Sequence, residues 1–504
     1  MEPRIQNAAR LTLRGALPLA LAAVAFAGTL WITAAPGPGL EPDSMSYVGA
    51  AQSLVRRGAL RVPTAYWWEG DSTSALGSFP PGFSLAIAIP AALGVAPVPA
   101  ARLVIAASAA VTAWALAAAA FEAGALAACL AAVLALFAPG VVNQHWIVLS
   151  EPLSYALLAV ALGLMANRPD KPVRYGLVAA GANLVRYAEV ACVVTAVAWA
   201  FAQQGGWGAR IKRAVLAGLP AVVLQGAWLV YAKSVEARTP FAGVGEFHGV
   251  TRTVEQGIGR IGAWLVPSPV LPAWGVPLAV LLGVAILWLV HQTLRDAAPE
   301  RAPAQRWLAV LLTFMAVYAG TLVFSRTFVG GAIEFDDRIL SPLYLCGGAA
   351  VGAMLGLEWR KWGRQGRVAT AGAIVAWAAA ALVVDVGQVR DMRAEGYGYE
   401  GEDWQATDFA RWLRTDGGRY EIWSNDPAAV YFLTGRPARL LPMTLAADSV
   451  RRFGATFKKR PALLVQFQDA YRESADGAVL ARDFGLAKVQ EFEYGRAWAD
   501  TVAR

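Results

Sequence analysis

Long apolar segments alternate with short polar ones along the first 386 residues. A membrane-spanning helix needs about 20 mostly apolar residues. Residues 172–203 are interrupted by Arg186 and Glu189 and are long enough for two short, tilted helices that meet at this polar turn. We therefore predict eleven membrane-spanning helices, two of them within 172–203 and the others at 16–35, 98–120, 125–142, 152–167, 213–232, 275–291, 307–325, 339–357 and 368–386.

The basic residues of the short loops indicate the orientation of these helices. With the N-terminus in the cytoplasm, 16 Lys and Arg residues fall in cytoplasmic loops, as the positive-inside rule expects. A twelfth crossing at 82–96 would move thirteen of them outside, so we predict that this short, proline-bearing segment lies at or dips into the outer interface. The sixteen are Arg4, Arg10, Arg14, Arg168, Lys171, Arg174, Arg210, Lys212, Arg213, Arg295, Arg301, Arg306, Arg360, Lys361, Arg364 and Arg367.

The first apolar segment has a second interpretation. Arg4, Arg10 and Arg14 precede it and the letters TAAPG follow it, a pattern that also fits a secretory signal peptide. We favour a membrane-spanning helix because many others follow. Under either interpretation, the chain after residue 36 begins outside the cytoplasm.

The pattern changes after Asp385. Residues 387–504 are charged and contain no apolar run of membrane length. DWQATDFARWL has helical spacing, whereas YEIW, PALLVQF and KVQEFEYG are typical of strands, with turn signals such as DGG and SNDP between elements. We predict a membrane domain of residues 1–386 and a small extracytoplasmic α/β domain of residues 387–504.

Composition supports a polytopic membrane protein. Hydrophobic residues make up 57% of the 504 and charged ones 16%, against roughly 25% charged in soluble domains. The net charge of +8 follows from the positive-inside bias, so no nucleic-acid partner is predicted. Cys129, Cys192 and Cys346 each lie in an apolar stretch, which argues against disulfides or a zinc site.

The first outer segment, EPDSMSYVGAAQSL, combines acidic residues with a helical pattern. Met45, Val48 and Ala51 recur at helical spacing, so this segment is predicted to be an amphipathic helix on the membrane surface. Asp43 and Ser44 stand at or just before its N-terminus. Both are preferred N-cap residues, so a purely structural role is one interpretation.

Six segments follow one another along the chain: PDSMSY, FPPGFSLAIAIPAALG, AARLVIAASAAV, APGVVNQHWIVLSEPLSYALLAVAL, NLVRYAEV and FDDRILSPLYL. In this order they resemble the bacterial GT-C glycosyltransferases, polytopic enzymes that take sugars from polyprenyl-phosphate carriers. Protein mannosyltransferases and the aminoarabinose transferases of lipid A belong to this superfamily. The resemblance covers roughly residues 15–350. It is specific because of the order in which the six segments follow one another.

The resemblance implies roles for two carboxylates. Asp43 matches the aspartate of the family's first outer loop, which acts as general base on the acceptor hydroxyl. Glu151, in LSEPL, matches an acidic residue close to that aspartate and would orient acceptor or donor. Its alternative is a helix N-terminal acid after a Ser150 cap.

A phosphate leaving group requires cations. We expect Arg186 and Arg338 to face the donor phosphate, although Arg186 has Glu189 as an alternative partner. For Arg338 the alternatives are interfacial anchoring or pairing with Asp336 or Asp337. The candidate substrate contacts are Ser44, Tyr47, Asp336 and Asp337.

No cofactor is predicted with certainty. Some relatives use a divalent metal, but the first loop has DSMS where metal-using members often carry paired acids. His145 and His248 are expected to make loop hydrogen bonds rather than to bind metal.

The leading hypothesis is an inverting glycosyltransferase of the inner (cytoplasmic) membrane, with its C-terminal domain outside the cytoplasm. It would move a sugar from a polyprenyl-phosphate carrier to a hydroxyl of a lipid, glycan or protein acceptor at the outer face, in contact with membrane lipids. A lipid-linked glycan flippase is one alternative, although it would be expected to carry charges within its spans. A non-catalytic envelope scaffold on the same fold is the other, and it would tolerate loss of Asp43.

Overall fold

The structure is a computed structural model, and most of it is helical. It describes residues 2–237, 249–266, 275–295, 299–329, 334–415, 420–457, 462–468, 470 and 474–499. His248 lies outside the described residues.

Fifteen α-helices, counted over the described residues, account for most of the chain as far as residue 395. Their Ala- and Leu-rich sequences favour helix, and several begin with a proline in the first turn, where its missing N–H is not needed. They are α1 (Glu2–Ile32), α2 (Pro42–Arg57), α3 (Gly82–Ala92), α4 (Pro97–Ala120), α5 (Ala125–Leu136), α6 (Pro139–Val142), α7 (Glu151–Asn167), α8 (Pro172–Val185), α9 (Val190–Ala202), α10 (Trp207–Ser234), α11 (Thr251–Leu265), α12 (Gly275–Arg295), α13 (Ala302–Phe328), α14 (Asp337–Glu358) and α15 (Arg364–Glu395).

Seven of these helices are long and apolar enough to cross a membrane: α1, α4, α10, α12, α13, α14 and α15. An eighth span results if α5 and the segment Pro139–His145, which meet at a bend of 68°, are counted as one. Helices α7, α8 and α9 are shorter, at 17, 14 and 13 residues. The protein is therefore multi-pass, and the number eleven stays a prediction. Helix α3 has only 11 residues, too few for a bilayer.

Helices α5 and α14 are in backbone contact through glycines. Gly348, Gly352 and Gly356 follow at intervals of four along α14 and face α5. A Cβ atom at Gly352 would lie 2.3 Å from the backbone nitrogen of Ala131. Small residues at this spacing let membrane helices approach closely. The contact holds α14 against the helix that leads towards Glu151.

Helix α2 is buried on more than one face, unlike the amphipathic surface helix predicted for this segment. From Ser44 to Ala51 every residue except Ser46 is buried, so more than one face is covered. Phe83 of α3 packs against Tyr47, with ring centroids 5.1 Å apart. Gln52 accepts a hydrogen bond of 2.9 Å from the Tyr431 hydroxyl. Protein on both sides therefore fixes the direction of α2.

The C-terminal region contains a six-stranded sheet in the order β2-β5-β4-β6-β8-β7. Strands β2, β5, β4 and β6 are parallel, and β8 and β7 join antiparallel. The predicted strands β4, β6 and β7 are confirmed, and DWQATDFARWL, which was predicted to be helical, forms two short helices. The elements are β1 (Arg61–Val62), β2 (Thr64–Ala65), β3 (Ser74–Ala75), α16 (Glu402–Gln405), α17 (Asp408–Thr415), β4 (Glu421–Ser424), α18 (Pro427–Thr434), β5 (Ala438–Leu440), α19 (Ala447–Phe457), β6 (Ala462–Phe467), α20 (Gly477–Asp483), β7 (Ala487–Phe492) and β8 (Gly495–Ala499).

The first outer loop and the C-terminal region share this sheet. Strand β2 comes from the first loop and pairs with β5, with Ala65 opposite Arg439. The buried Arg439 guanidinium donates to the backbone carbonyls of Glu69 and Gly70 and pairs with Glu421 at 2.7 Å. Helix α15 also crosses the predicted boundary at 386 without a break. The division into two domains stays a prediction.

Replacing Gly352 with alanine should destabilise the protein, because the new methyl group would force α5 and α14 apart. Overpacking of this kind costs roughly 1–3 kcal/mol. Gly372→Ala in α15 is the matched control, since nothing lies within 4 Å of a Cβ atom there. Thermal unfolding in detergent should show a lower midpoint for Gly352→Ala alone, and equal midpoints would contradict the close contact.

Candidate active site

Glu151 is the first residue of α7 and is completely buried. Its Oε1 atom pairs with Arg186 Nη1 and with Arg338 Nε. A fully buried carboxylate stays charged only with such partners. The sequence interpretation as a simple helix N-terminal acid is therefore incomplete, because Glu151 joins two distant arginines.

Arg186 follows the last residue of α8 in an extended conformation (φ −143°, ψ 133°), so the backbone leaves the helix at this residue. Its carboxylate partner is Glu151, not the predicted alternative Glu189. Glu189 is buried and accepts a hydrogen bond of 2.7 Å from Ser154. Arg186 is 13% exposed, so its charge is largely committed to the protein.

Arg338 links the two candidate catalytic carboxylates. Besides Glu151, it contacts Asp43, with Nη1 2.7 Å from Asp43 Oδ2. The Asp43 and Arg338 side chains are 29% and 28% exposed, so a substrate can reach both. The structure therefore brings together all four residues predicted to act in catalysis or phosphate binding, at the N-terminal ends of α2, α7 and α14 and the C-terminal end of α8.

Asp43 does not cap α2. Glu41 occupies the N-cap position, and Ser44 completes the turn by accepting a hydrogen bond of 2.9 Å from the Glu41 backbone N–H. The Asp43 carboxylate contacts Arg338 instead. Burial raises the pKa of Glu41, an effect that nearby Arg338 opposes.

Ser44 and Tyr47, predicted to contact substrate, are buried inside the protein. Ser44 Oγ donates to the Val148 carbonyl at 2.8 Å, and the Tyr47 hydroxyl lies 3.2 Å from Ser150 Oγ. Burial raises the pKa of Tyr47, so the phenol stays neutral. Both residues hold α2 against the segment before Glu151.

Asp336 and Asp337 have structural partners. Asp336 caps α14 by accepting a hydrogen bond of 2.8 Å from the Ile339 N–H. Asp337 pairs with Arg260 at 3.3 Å and accepts from the Tyr344 hydroxyl at 3.3 Å. The alternative that Asp336 or Asp337 pairs with Arg338 is therefore wrong, because the carboxylate partners of Arg338 are Asp43 and Glu151. Contact of Asp336 and Asp337 with substrate stays a prediction.

Two cavities flank the Asp43–Arg338 pair. The Asp43 cavity has a volume of about 540 Å³ and is walled by parts of residues 42–79, by residues 235–237 just after α10 and by residues 425–428. The Arg338 cavity, about 640 Å³, is walled by residues 143–149, the start of α14 and the end of α15. Asp43 lines the first cavity and Arg338 the second.

Sequence reasoning missed the C-terminal wall of the Asp43 cavity. The letters SNDP were interpreted only as a turn, yet Asn425 and Asp426 line this cavity. Both are themselves held in place, Asn425 by the backbone of Phe467 and Asp426 by the Tyr399 hydroxyl at 2.8 Å. An Asx-Pro pair before a helix is a signal for an N-cap, but nothing local indicates what the helix faces.

Metal ligation has no support in the described ranges, where no group of three or more His, Cys, Asp or Glu side chains converges. His145 is buried, and its Nδ1 lies 2.9 Å from the Val141 carbonyl oxygen, a backbone hydrogen bond like that expected for it.

Comparisons with known proteins identify the fold. No protein-family model and no curated protein matches the chain. ArnT from Cupriavidus metallidurans, solved bound to undecaprenyl phosphate, is similar with a TM-score of 0.58 at 15% identity, over 97% of this chain and 98% of that one. Archaeoglobus fulgidus oligosaccharyltransferase AglB, in complex with an inhibitory peptide and a dolichol-phosphate, gives 0.56 at 12% identity, over 97% and 75%.

Both neighbours belong to the GT-C superfamily. The resemblance inferred from the order of motifs is thus confirmed at the level of the fold: a polytopic helical membrane protein with a small C-terminal α/β region.

The two candidate catalytic carboxylates, Asp43 and Glu151, should differ in their effect on stability. Glu151→Gln leaves buried Arg186 without its carboxylate and should cost about 3–5 kcal/mol. Asp43→Asn removes a half-buried contact and should cost about 1 kcal/mol or less. Thermal or denaturant unfolding of the two purified variants checks this order, and equal losses would contradict the central position of Glu151.

Proposed function

We propose that the protein is an inverting glycosyltransferase of the inner membrane that uses a polyprenyl-phosphate sugar donor. In this proposal its N-terminus is cytoplasmic, its active site and C-terminal region lie outside, and its acceptor is a hydroxyl of a lipid, glycan or protein. The observation that carries the proposal is the Asp43–Arg338–Glu151–Arg186 chain of ion pairs between two cavities. The lipid phosphates bound by ArnT and AglB support the donor class.

The reaction is a single displacement. Asp43 takes the proton of the acceptor hydroxyl while that oxygen forms a bond to the anomeric carbon. The bond from the anomeric carbon to the phosphate oxygen breaks, and polyprenyl phosphate leaves with its electron pair. Since no enzyme nucleophile takes part, the configuration at that carbon inverts.

Arg338 connects donor binding to the general base. It is more exposed than Arg186 and is held by Asp43 on one side and Glu151 on the other. A phosphate that binds Arg338 competes with the Asp43 carboxylate for the guanidinium. Asp43 is then free to accept a proton only when donor is present, and Arg338 stabilises the charge that develops on the leaving phosphate. Glu151 keeps both arginines in position.

The first test is a mass-spectrometric inventory of membrane lipids and envelope glycans in cells that express wild type, Asp43→Asn or no protein. The Asp43→Asn strain should match the strain without protein, with one polyprenyl-phosphate sugar accumulating and one glycan missing. Asp448→Asn is the matched control, because Asp448 is a highly exposed carboxylate of α19 that lines neither cavity. If Asp43→Asn behaves like wild type while the strain without protein differs, the scaffold or flippase alternative gains support.

Variants of Arg338 and Asp43 should differ in their affinity for undecaprenyl phosphate. Arg338→Gln should bind it at least about tenfold more weakly, since a hydrogen bond to a charged group contributes about 1.5–3 kcal/mol. Asp43→Asn should bind as tightly as wild type or more tightly, because a negative charge near the phosphate is removed. Titration of purified protein in nanodiscs measures both, with Arg451→Gln as control, because Arg451 is highly exposed and lines neither cavity. Unchanged affinity in Arg338→Gln would argue against phosphate contact.

A further inference from the structure

The carboxyl ends of three parallel strands open into the Asp43 cavity. Tyr66 follows β2, Leu440 ends β5 and Asn425 follows β4, and all three residues line this cavity. The strands lie side by side in the order β2-β5-β4, and the chain changes sides at β4, because β5 lies on one side of it and β6, the next strand along the chain, on the other. Ligands of open α/β sheets bind outside the carboxyl ends of the strands at such a reversal. This wall of the cavity is therefore placed where a ligand binds.

Tyr66 provides this wall with an aromatic ring in a fixed position. The half-buried ring stacks on Trp68, with ring centroids 4.8 Å apart and an interplanar angle of 19°. Trp68 is met edge-on by Trp67, which is buried in an apolar cluster with residues of β4, β6 and β8. Buried Arg439 donates to the Gly70 carbonyl at 2.7 Å and so holds the turn that follows. A tyrosine held in this way presents both an apolar ring surface and a hydroxyl to a ligand in the cavity.

Solvent-accessible carboxylates surround the same space. The side chains of Asp43 and Asp71 are 29% and 78% exposed, and Glu236 is exposed as well. All three residues line the cavity. Arg61 is the one cation among its described lining residues, and it is bonded to Asp71 and Thr73. Accessible carboxylates accept hydrogen bonds from hydroxyl groups and repel other anions.

This combination fits a sugar ring without an acidic group. One face of many pyranose rings carries only C–H groups, which pack against an aromatic ring. The hydroxyl groups at the edge of the sugar ring can donate to the carboxylates. The donor phosphate is placed on Arg338, which does not line this cavity. The exclusion of anions therefore applies to the acceptor.

We propose that the Asp43 cavity binds a neutral or amino-bearing sugar residue of a glycan as the acceptor, with Tyr66 as the stacking residue. The inference rests on the proposed function for the role of acceptor, because Asp43 takes the proton of a hydroxyl bound there. Binding of a sugar against Tyr66 does not itself require that transfer occurs. Among lipid, glycan and protein acceptors, the cavity thus selects the glycan.

Saturation-transfer NMR on the full-length protein in nanodiscs tests the binding. The probes are the methyl glycosides of glucose, mannose, galactose, N-acetylglucosamine and glucosamine. At least one of them should give a signal with wild type and with Tyr66→Phe, which keeps the ring. The signal should be lost in Tyr66→Leu and kept in Tyr494→Leu, because Tyr494 is an exposed tyrosine that lines neither cavity.

The exclusion of anions is tested with methyl glucuronide. This probe should give no signal with wild type and should gain one in the Asp71→Asn/Glu236→Gln double variant, which removes two negative charges and leaves Asp43 in place. Asp408→Asn is the matched control and should not bind it, because Asp408 is a highly exposed carboxylate that lines neither cavity.

Thermal unfolding shows whether each variant is folded, and Ser78→Trp keeps the test decisive if Tyr66→Leu unfolds. Ser78 is exposed and lines the same cavity, so an indole there takes up space needed by the sugar while Tyr66 stays in place. Folded Ser78→Trp should lose the signal. A signal that it retains would overturn the inference.

Three further outcomes would overturn it: a signal that survives Tyr66→Leu, no signal from any neutral or amino probe with wild type, or binding of methyl glucuronide by wild type as strong as that of the other probes. Linkage analysis of the glycan missing from Asp43→Asn cells should show a bond between two sugars. A sugar joined to a protein or lipid hydroxyl would reject the glycan acceptor and leave the transferase in place. Sugar binding without an accumulated lipid-phosphate sugar would reject transfer alone.

Discussion

The burial of the Glu151 carboxylate is the constraint on which the site depends. A carboxylate that stays charged when fully buried needs cations at contact distance, and here the cations come from the end of α8 and the start of α14. Those helices cannot shift relative to α7 without separating charges. Arg338 then carries the same constraint to Asp43 on α2. One buried acid thus sets the relative positions of four helix ends.

Backbone hydrogen bonds also fix the position of the segment that carries Asp43. The segment just before α2 makes backbone hydrogen bonds to two other segments. Gly39 donates to the carbonyl of Trp146 and accepts from the N–H of Val148. Leu40 donates to the carbonyl of Tyr397 and accepts from the N–H of Tyr399. The segment that precedes Glu151 and the segment that follows α15 are therefore tied to two adjacent residues just before α2. This arrangement makes the distance between Asp43 and Glu151 a property of the folded protein rather than of a loose loop.

The region around the site is assembled from parts that are distant in sequence. A buried apolar cluster contains residues of α2, α3, the 146–149 segment and the C-terminal helices and strands. Strand β2 and the Arg439 contacts add polar links between the same regions. The C-terminal region thereby supplies a wall of the Asp43 cavity, which gives it a direct route to influence what binds there. Deleting it would expose that apolar cluster as well as remove the wall.

The sequence by itself determined the polytopic helical class, the three main C-terminal strands, the likeness to the GT-C fold and the four residues that the site unites. These follow from local properties: apolar runs of membrane length, alternation in strands, and the order of short motifs. Only the tertiary structure decided that Arg186 pairs with Glu151 rather than Glu189, that Ser44 and Tyr47 are buried, and that β2 joins a distant sheet. Partners more than 100 residues apart, such as Arg338 and Asp43, depend on how whole helices pack. That packing is set by contacts such as those of Gly352, whose distances no local pattern of the chain encodes.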